Sequence, residues 1–140
     1  MQRIDITHDF RLPVSRVYAY LAEHEHLAPL FGATIRRVQD GATSRNGVGS
    51  ARTLKIGPLP SFVETTTVSE PNSRIEYKIT QGSPLKGHEG VMRFTSLPDG
   101  GSHLDYTITF DGKVPGLGAV VAFGLKRNIT KGLKQVDAKA

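Results

Sequence analysis

Arg52 and Glu64 are the two charged residues whose spacing is best suited to chemistry. They flank a Gly-Pro-Leu-Pro turn at residues 57–60 that joins two stretches with strand-like patterning. If the apolar residues of these strands face inward, Arg52 and Glu64 face inward with them as direct or diagonal neighbours. Two charges in an apolar interior are costly unless they are paired or solvated. The pair is therefore predicted to anchor the polar end of an apolar ligand or to act as a charged clamp on an enolate or carboxylate. The alternative is a structural ion pair at a cavity rim.

Two tyrosines are the next candidates. Tyr106 lies on the apolar face of a strongly alternating stretch, and Tyr77 lies in another predicted strand. A phenol in an apolar pocket can hydrogen-bond a ligand carbonyl and act as a general acid. The alternative is a core tyrosine whose hydroxyl bonds to the backbone. The candidate catalytic residues are thus Arg52, Glu64 and Tyr106.

The histidines give weaker signals. His88 shares a face with Met92 and Phe94, where it could shuttle protons, or it is a solvent-exposed histidine near a strand end. His24 and His26 are two residues apart and do not share a helix face, and no third ligand has metal-site spacing. Neither a metal site nor a cofactor is predicted.

These side chains must be positioned by a sheet. Alternating or turn-bounded stretches predict seven strands, at residues 3–10, 35–39, 50–56, 62–70, 74–81, 87–97 and 102–110. Connections this short favour an antiparallel meander. The dipeptides Asp40-Gly41, Asn46-Gly47 and Asp99-Gly100 are predicted to form type I′ turns.

Helices complete the architecture. Pro13 begins a helix, residues 22–31 form a short second helix or turn, and Pro115 begins a long helix that runs to about Asp137. An antiparallel sheet cannot bury its apolar face on a short helix pair alone, so the long helix must cross the concave side. The fold class is predicted to be α+β, a seven-stranded antiparallel sheet around a long C-terminal helix with a hollow between them.

Length and composition limit the function classes. The 140 residues suit one domain, residues 1–140. The absence of cysteine excludes disulfides, thiolate metal sites and a cysteine nucleophile, and is typical of a cytoplasmic protein. No apolar run approaches the roughly 20 residues that span a membrane. Integral membrane association is therefore not predicted.

The net charge of +5 is concentrated at the C-terminal end. Residues 1–112 contain 12 Lys+Arg and 12 Asp+Glu, whereas residues 113–140 contain 6 Lys+Arg and one Asp. Aromatic residues are not interleaved with these cations, so nucleic-acid binding is not predicted. Val120 and Phe123 face away from the main apolar stripe of the last helix. Either loops cover them, or they form an exposed patch at a pocket mouth or a homodimer contact.

Several short motifs occur in an order that carries a family resemblance: residues 13–18 (PVSRVY), 47–52 (GVGSAR), 63–64 (VE), Pro71 with residues 74–77 (RIEY), and 99–102 (DGGS). Together they resemble the polyketide cyclase/dehydrase group of the SRPBCC or START-like superfamily, which has the helix-grip fold. Tyr18 and Phe31 stand where that family often has tryptophan.

The resemblance implies a cavity between the sheet and the long helix that holds a lipid, polyketide or similar molecule. Its walls are predicted to come from both elements: Leu54, Tyr77, Met92, Phe94, Tyr106, Ile108 and Phe110 from the sheet, and Leu117, Val121, Leu125 and Ile129 from the helix. Arg52, Glu64 and Tyr106 would supply the polar groups. Three functions stay open: binding or transport of a hydrophobic small molecule, cyclase or dehydratase catalysis in the same cavity, and binding of a protein or anionic surface through the basic helix.

Overall fold

Seven antiparallel strands form one sheet in the computed structural model, which describes residues 1–83 and 85–140. The spatial order is β1-β7-β6-β5-β4-β3-β2, so β2 to β7 form a meander and β1 pairs with β7. The strands are β1 (Gln2–Phe10), β2 (Thr34–Gln39), β3 (Ala51–Lys55), β4 (Phe62–Glu70), β5 (Arg74–Gln81), β6 (Leu85–Ser96) and β7 (Ser102–Gly112). The α+β prediction is confirmed.

The helices occur before β2 and after β7. They are α1 (Val14–Ala22), a 3₁₀ turn (His24–Leu27), α2 (Ala28–Phe31), α3 (Leu117–Leu133) and α4 (Val136–Lys139). The long helix is shorter than predicted, because its 17 residues span about 25 Å. The chain turns after Leu133, and Asp137 of α4 accepts hydrogen bonds from the backbone N–H groups of Arg11 and Leu12. This tertiary contact ends the helix earlier than its periodicity indicates.

Helix α3 lies over one side of the sheet. It packs against α2, β1 and β7, while α1 packs against β6 and β7. The apolar face beneath them forms the core, in which Ile4, Leu104, Phe110, Ile129 and Leu133 are almost completely buried. Helix α3 thus lies over the β1–β7 side of the sheet and leaves the β3–β5 side less covered. In the described part of the chain, no helix has the length and apolar character needed to cross a bilayer.

The predicted type I′ turns do not form. A type I′ turn requires positive φ at both central residues, and of the six residues in the three dipeptides only Gly100 has it, with φ 90°. Asp40-Gly41 and Asn46-Gly47 both lie in the β2–β3 connection, where Gly41 donates to the carbonyl of Arg45 and Gly47 to that of Ser44. They therefore fold one long loop rather than two hairpin turns.

A bulge in β6 changes which side chains face the core. The register with β7 shifts between Lys86 and Glu89, and Gly87 adopts φ 63°. As a result Leu85 and His88, three residues apart, both face inward, although strict alternation would put them on opposite faces.

Candidate functional site

A cavity of about 320 Å³ opens between α3 and the β3–β6 side of the sheet. Its wall is predominantly apolar, and His88 and Asn128 are its polar side chains. Helix α3 contributes Leu117, Val120, Val121, Gly124, Leu125 and Asn128, and the β3–β4 turn region contributes Ile56, Gly57, Pro58 and Leu59. Phe31 of α2 and Phe62, Ile79, Leu85 and His88 of the sheet complete the wall. A site with this lining suits an apolar molecule of modest size.

The glycines of α3 explain where this space lies. A Cβ added at Gly132 would stand 3.0 Å from Leu30 Cγ, and one at Gly118 would stand 3.2 Å from the backbone nitrogen of Gly112. These two glycines allow α3 to approach its neighbours closely. A Cβ added at Gly124 would meet nothing within 4 Å. Gly124 is thus the glycine of α3 that leaves open space, and it lines the cavity.

The predicted Arg52–Glu64 pair forms beneath the cavity. The two residues are directly opposite in the β3–β4 register. Arg52 Nε and Nη2 donate to Glu64 Oε1 at 3.0 and 2.7 Å, and the two side chains are only 3% and 5% exposed. The guanidinium also lies 4.8 Å from the ring centre of Tyr77 and 5.7 Å from that of Phe31. Neither charged residue lines the cavity, which corresponds more closely to the structural alternative than to the ligand anchor.

His24 extends this buried cluster on the side away from the cavity. Its Nε2 lies 3.0 Å from Ser50 Oγ, which also contacts the Gly47 carbonyl at 2.7 Å and Thr66 Oγ1 at 3.0 Å. Because the Arg52 guanidinium can only donate, Nδ1 accepts from Arg52 Nη1 at 3.4 Å, and Nε2 of the neutral ring carries the proton. Burial, together with the positive charge of Arg52, lowers the pKa of His24 to about 3. His24 is consequently a neutral structural histidine. His26 points elsewhere and bonds to the carbonyl of Tyr20.

His88 connects the buried charges to the cavity. The β6 bulge turns it inward, where its Nε2 lies 3.5 Å from Glu64 Oε2. It is buried and lines the cavity, so the solvent-exposed alternative is wrong. Burial lowers the pKa of His88, although the Glu64 carboxylate acts in the opposite direction. A neutral imidazole beside a carboxylate can accept or return a proton.

Tyr77 and Tyr106 bond to each other through their hydroxyls and lie in the core. The Tyr77 ring lies over Gly90, its partner on β6, where an added Cβ would stand 2.2 Å from Tyr77 Cζ. Burial raises the pKa of both phenols, so they stay protonated. Neither tyrosine lines the cavity.

The structure brings only part of the predicted wall together. Leu117, Val121 and Leu125 line the cavity, whereas the predicted sheet residues lie below or beside it: Leu54, Tyr77, Met92, Phe94, Tyr106, Ile108 and Phe110. The position of α3 is the reason, because it covers β7 directly, and Tyr18 of α1 packs on Phe94 with ring centres 5.2 Å apart. Ile129 of α3 is likewise fully buried in the core.

Several wall residues were not singled out from the sequence. Ile79 and Asn128 carry no local pattern that indicates a cavity, because only the lateral position of α3 brings them together. The β3–β4 turn does carry one signal. Its two prolines and one glycine cannot continue either strand, and the turn forms one lip of the cavity.

Comparisons with known proteins agree with this geometry. The family model described as "Polyketide cyclase / dehydrase and lipid transport" matches residues 1–140. No curated protein sequence matches significantly. A START superfamily protein from Mycobacterium smegmatis has a TM-score of 0.75 at 13% identity, with 98% of this chain and 95% of that chain covered. Ara h 8.0201 has a TM-score of 0.70 at 14% identity, with the same coverage. XoxI from Bacillus cereus has a TM-score of 0.71 at 14% identity, with 99% and 97% covered. At these identities the structures show a shared fold.

Proposed function

Because this chain belongs to the polyketide cyclase/dehydrase and lipid transport family, we propose that it binds an apolar small molecule in the cavity beside α3. The observation that supports this most is the cavity itself. Its volume of about 320 Å³ is at the lower end of the roughly 300–1,000 Å³ that is typical of ligand sites. A partly aromatic, partly aliphatic molecule of two or three rings, or a short acyl chain, is the matching class.

The buried charges support the fold of this site rather than ligand contact. Arg52 and Glu64 satisfy each other, and Phe31 and His88 separate them from the cavity. An apolar ligand therefore gains its affinity from burial against α3 and the β3–β4 turn. Asn128 and His88 are the wall residues that could orient a polar substituent.

Filling the cavity from Gly124 tests this proposal. Gly124→Leu places a side chain in space where an added Cβ meets nothing within 4 Å, so the variant should fold. Gly124→Ala is the matched control. It removes the same destabilisation of the helix by glycine, about 1 kcal/mol, without filling the cavity. The assay is the fluorescence increase of 1-aminoanthracene, a neutral apolar dye, upon titration with protein.

We expect the wild-type protein and Gly124→Ala to bind the dye with similar affinity, and Gly124→Leu to lose at least about tenfold. A 1.4 kcal/mol loss of burial suffices for that change. Equal dye affinity in all three proteins would contradict binding at this site. Circular dichroism confirms that each variant is folded before the comparison is made.

A second function is favoured by one specific contact. His88 lines the cavity and its Nε2 faces Glu64 Oε2, while Arg52 donates to the other carboxylate oxygen, Oε1. This arrangement suits proton transfer to or from a bound β-keto or β-hydroxy compound. In that cyclase or dehydratase reading, His88 is the acid–base group, while Glu64 and Arg52 position it.

A further inference from the structure

The outer face of α3 carries an apolar turn followed by a row of cations. We propose that this face docks on an anionic lipid bilayer and brings the cavity mouth to the membrane surface. The docking face consists of Val120, Phe123, Arg127, Lys131 and Lys134. Their spacings of 3, 4, 4 and 3 residues place them on one stripe of the helix. The proposal does not depend on which ligand the cavity holds.

The apolar part of this face is exposed to an unusual degree. Val120 is 71% exposed and Phe123 is 72% exposed, and Val114, just before α3, is 57% exposed. No other stretch of ten residues in the described chain exposes three large apolar side chains. An exposed phenylalanine with an exposed valine one helical turn before it is a feature of interaction sites rather than of an ordinary solvated helix.

The cationic part of the face forms no ion pairs. Among residues 1–83 and 85–140, no ion pair involves Lys126, Arg127, Lys131 or Lys134. Helix α3 contains no acidic residue. The one acid that follows it, Asp137, is engaged by the backbone of Arg11 and Leu12. This side of the molecule therefore presents a positive surface that attracts anionic groups.

Continuity with the cavity mouth favours a bilayer. Val120 belongs both to the docking face and to the cavity wall. A helix with apolar side chains at one end and Lys or Arg beyond them lies at a lipid interface with the apolar groups inserted and the cations at the headgroups. In that orientation an apolar ligand passes between the bilayer and the cavity past Val120 without crossing water.

The same charges disfavour a second copy of this chain as the partner that binds the docking face. A two-fold symmetric dimer places the same patch on both subunits. Here such an interface would bring Arg127, Lys131 and Lys134 of each copy toward those of the other with no acid on the face to neutralise them. Like charges at an interface are unfavourable, so the homodimer contact that the sequence left open is not the occupant we propose.

Vesicle binding tests the proposal, and the chain offers a clean reporter because it has no tryptophan. Phe123→Trp places the single tryptophan on the docking face. Val38→Trp is the matched control, since Val38 is 51% exposed on β2, at the opposite edge of the sheet from β1. Each variant is titrated with vesicles of phosphatidylcholine alone and with vesicles containing about 30 mol% phosphatidylserine.

We expect anionic vesicles to shift the emission of Phe123→Trp to the blue at about 50 mM NaCl, and about 500 mM NaCl to reverse the shift. Val38→Trp should not respond. In the Phe123→Trp background, Lys131→Gln with Lys134→Gln should weaken partition by about 25-fold, at roughly fivefold per cation. The control pair Lys78→Gln with Lys86→Gln, both exposed on the sheet, should change it less than twofold.

An unshifted Phe123→Trp emission on anionic vesicles at low salt would overturn the proposal and leave an acidic protein as the partner of this face. An equal loss in the control pair would also overturn it, because attraction would then depend on net charge alone. Dye binding without vesicles is measured on the same variants. Docking can thus fail while the cavity still binds, and the two failures are distinguishable.

Discussion

Removal of Arg52 tests how the buried charge pair contributes to this protein. In Arg52→Met the aliphatic bulk remains, but Glu64 Oε1 loses both donors, which lie at 3.0 and 2.7 Å in the wild type. The Glu64 side chain is 5% exposed, so water cannot replace them without rearrangement. His88 Nε2, at 3.5 Å from the other oxygen, is the polar neighbour that remains, and burial keeps its imidazole neutral.

The expected cost follows from this geometry. Removal of one partner of a buried ion pair costs about 3–5 kcal/mol, and loss of the guanidinium over the Tyr77 ring adds about 0.5–2 kcal/mol. A domain of this size has a free energy of unfolding of about 5–15 kcal/mol. Arg52→Met should therefore lose about a quarter or more of the stability.

The double variant Arg52→Met with Glu64→Met separates burial from pairing. Replacement of a whole buried pair by apolar residues of similar volume is close to neutral. We therefore expect the double variant to be more stable than either single variant. Urea unfolding followed by circular dichroism measures this. With a slope of about 1.5 kcal/mol per M, the midpoint of Arg52→Met should fall by about 2–5 M, and that of the double variant by less than about 1 M.

Two results would refute this reasoning. If Arg52→Met costs less than about 1 kcal/mol, the pair is solvated and not buried as described. If the double variant loses the sum of the single losses, the two charges are not coupled. The same proteins test the anchor alternative. Arg52 does not line the cavity, so folded Arg52→Met should bind 1-aminoanthracene within about twofold of the wild type. A tenfold loss, or about 1.4 kcal/mol, would show that Arg52 holds the ligand.

Two further predictions concern the histidines. The folded protein lowers the pKa of His24 from 6.5 to about 3, so the unfolded chain binds the extra proton between these values. Stability is full above pH 6.5 and falls on acidification by up to about 1.4 kcal/mol per pH unit. His24→Gln should flatten the slope of the urea midpoint between pH 5 and 7, and an unchanged slope would contradict the assignment. For the second function, His88→Gln should slow dehydration of an apolar β-hydroxyketone by about 100-fold or more with dye affinity retained. Equal turnover in wild type and variant would exclude His88 as the acid–base group.

Most of the sheet could be predicted from the sequence because its signals are local. Alternation in β1 and β7 defines the inward residues, and short connections define the antiparallel order. The end of α3 could not be predicted, since the hydrogen bond that the Arg11 backbone N–H donates to Asp137 joins residues 126 positions apart. The prediction of type I′ turns in the β2–β3 connection was wrong, because the backbone of both turn dipeptides forms hydrogen bonds within one long loop.

The candidate site was predictable only where strand register determined it. Arg52 and Glu64 face each other because a short turn sets their pairing. The inward position of His88 depends on the bulge, for which Gly87 is the only local signal. The cavity wall depends on where α3 lies across the sheet, and the periodicity of a helix defines its buried side but not its lateral position.

Gly124 gives the strongest physical reason to regard the space beside α3 as functional. Glycine inside a helix costs about 1 kcal/mol relative to alanine, and close packing can repay this cost at Gly118 and Gly132, where neighbours stand within about 3 Å. No neighbour stands within 4 Å of a Cβ at Gly124, so close packing does not offset the cost of glycine at this position. The only structural consequence of that glycine is open volume in the cavity wall. A helix optimised for stability alone would carry alanine or a larger residue at this position, and the exception coincides with the mouth that Val120 shares with the docking face.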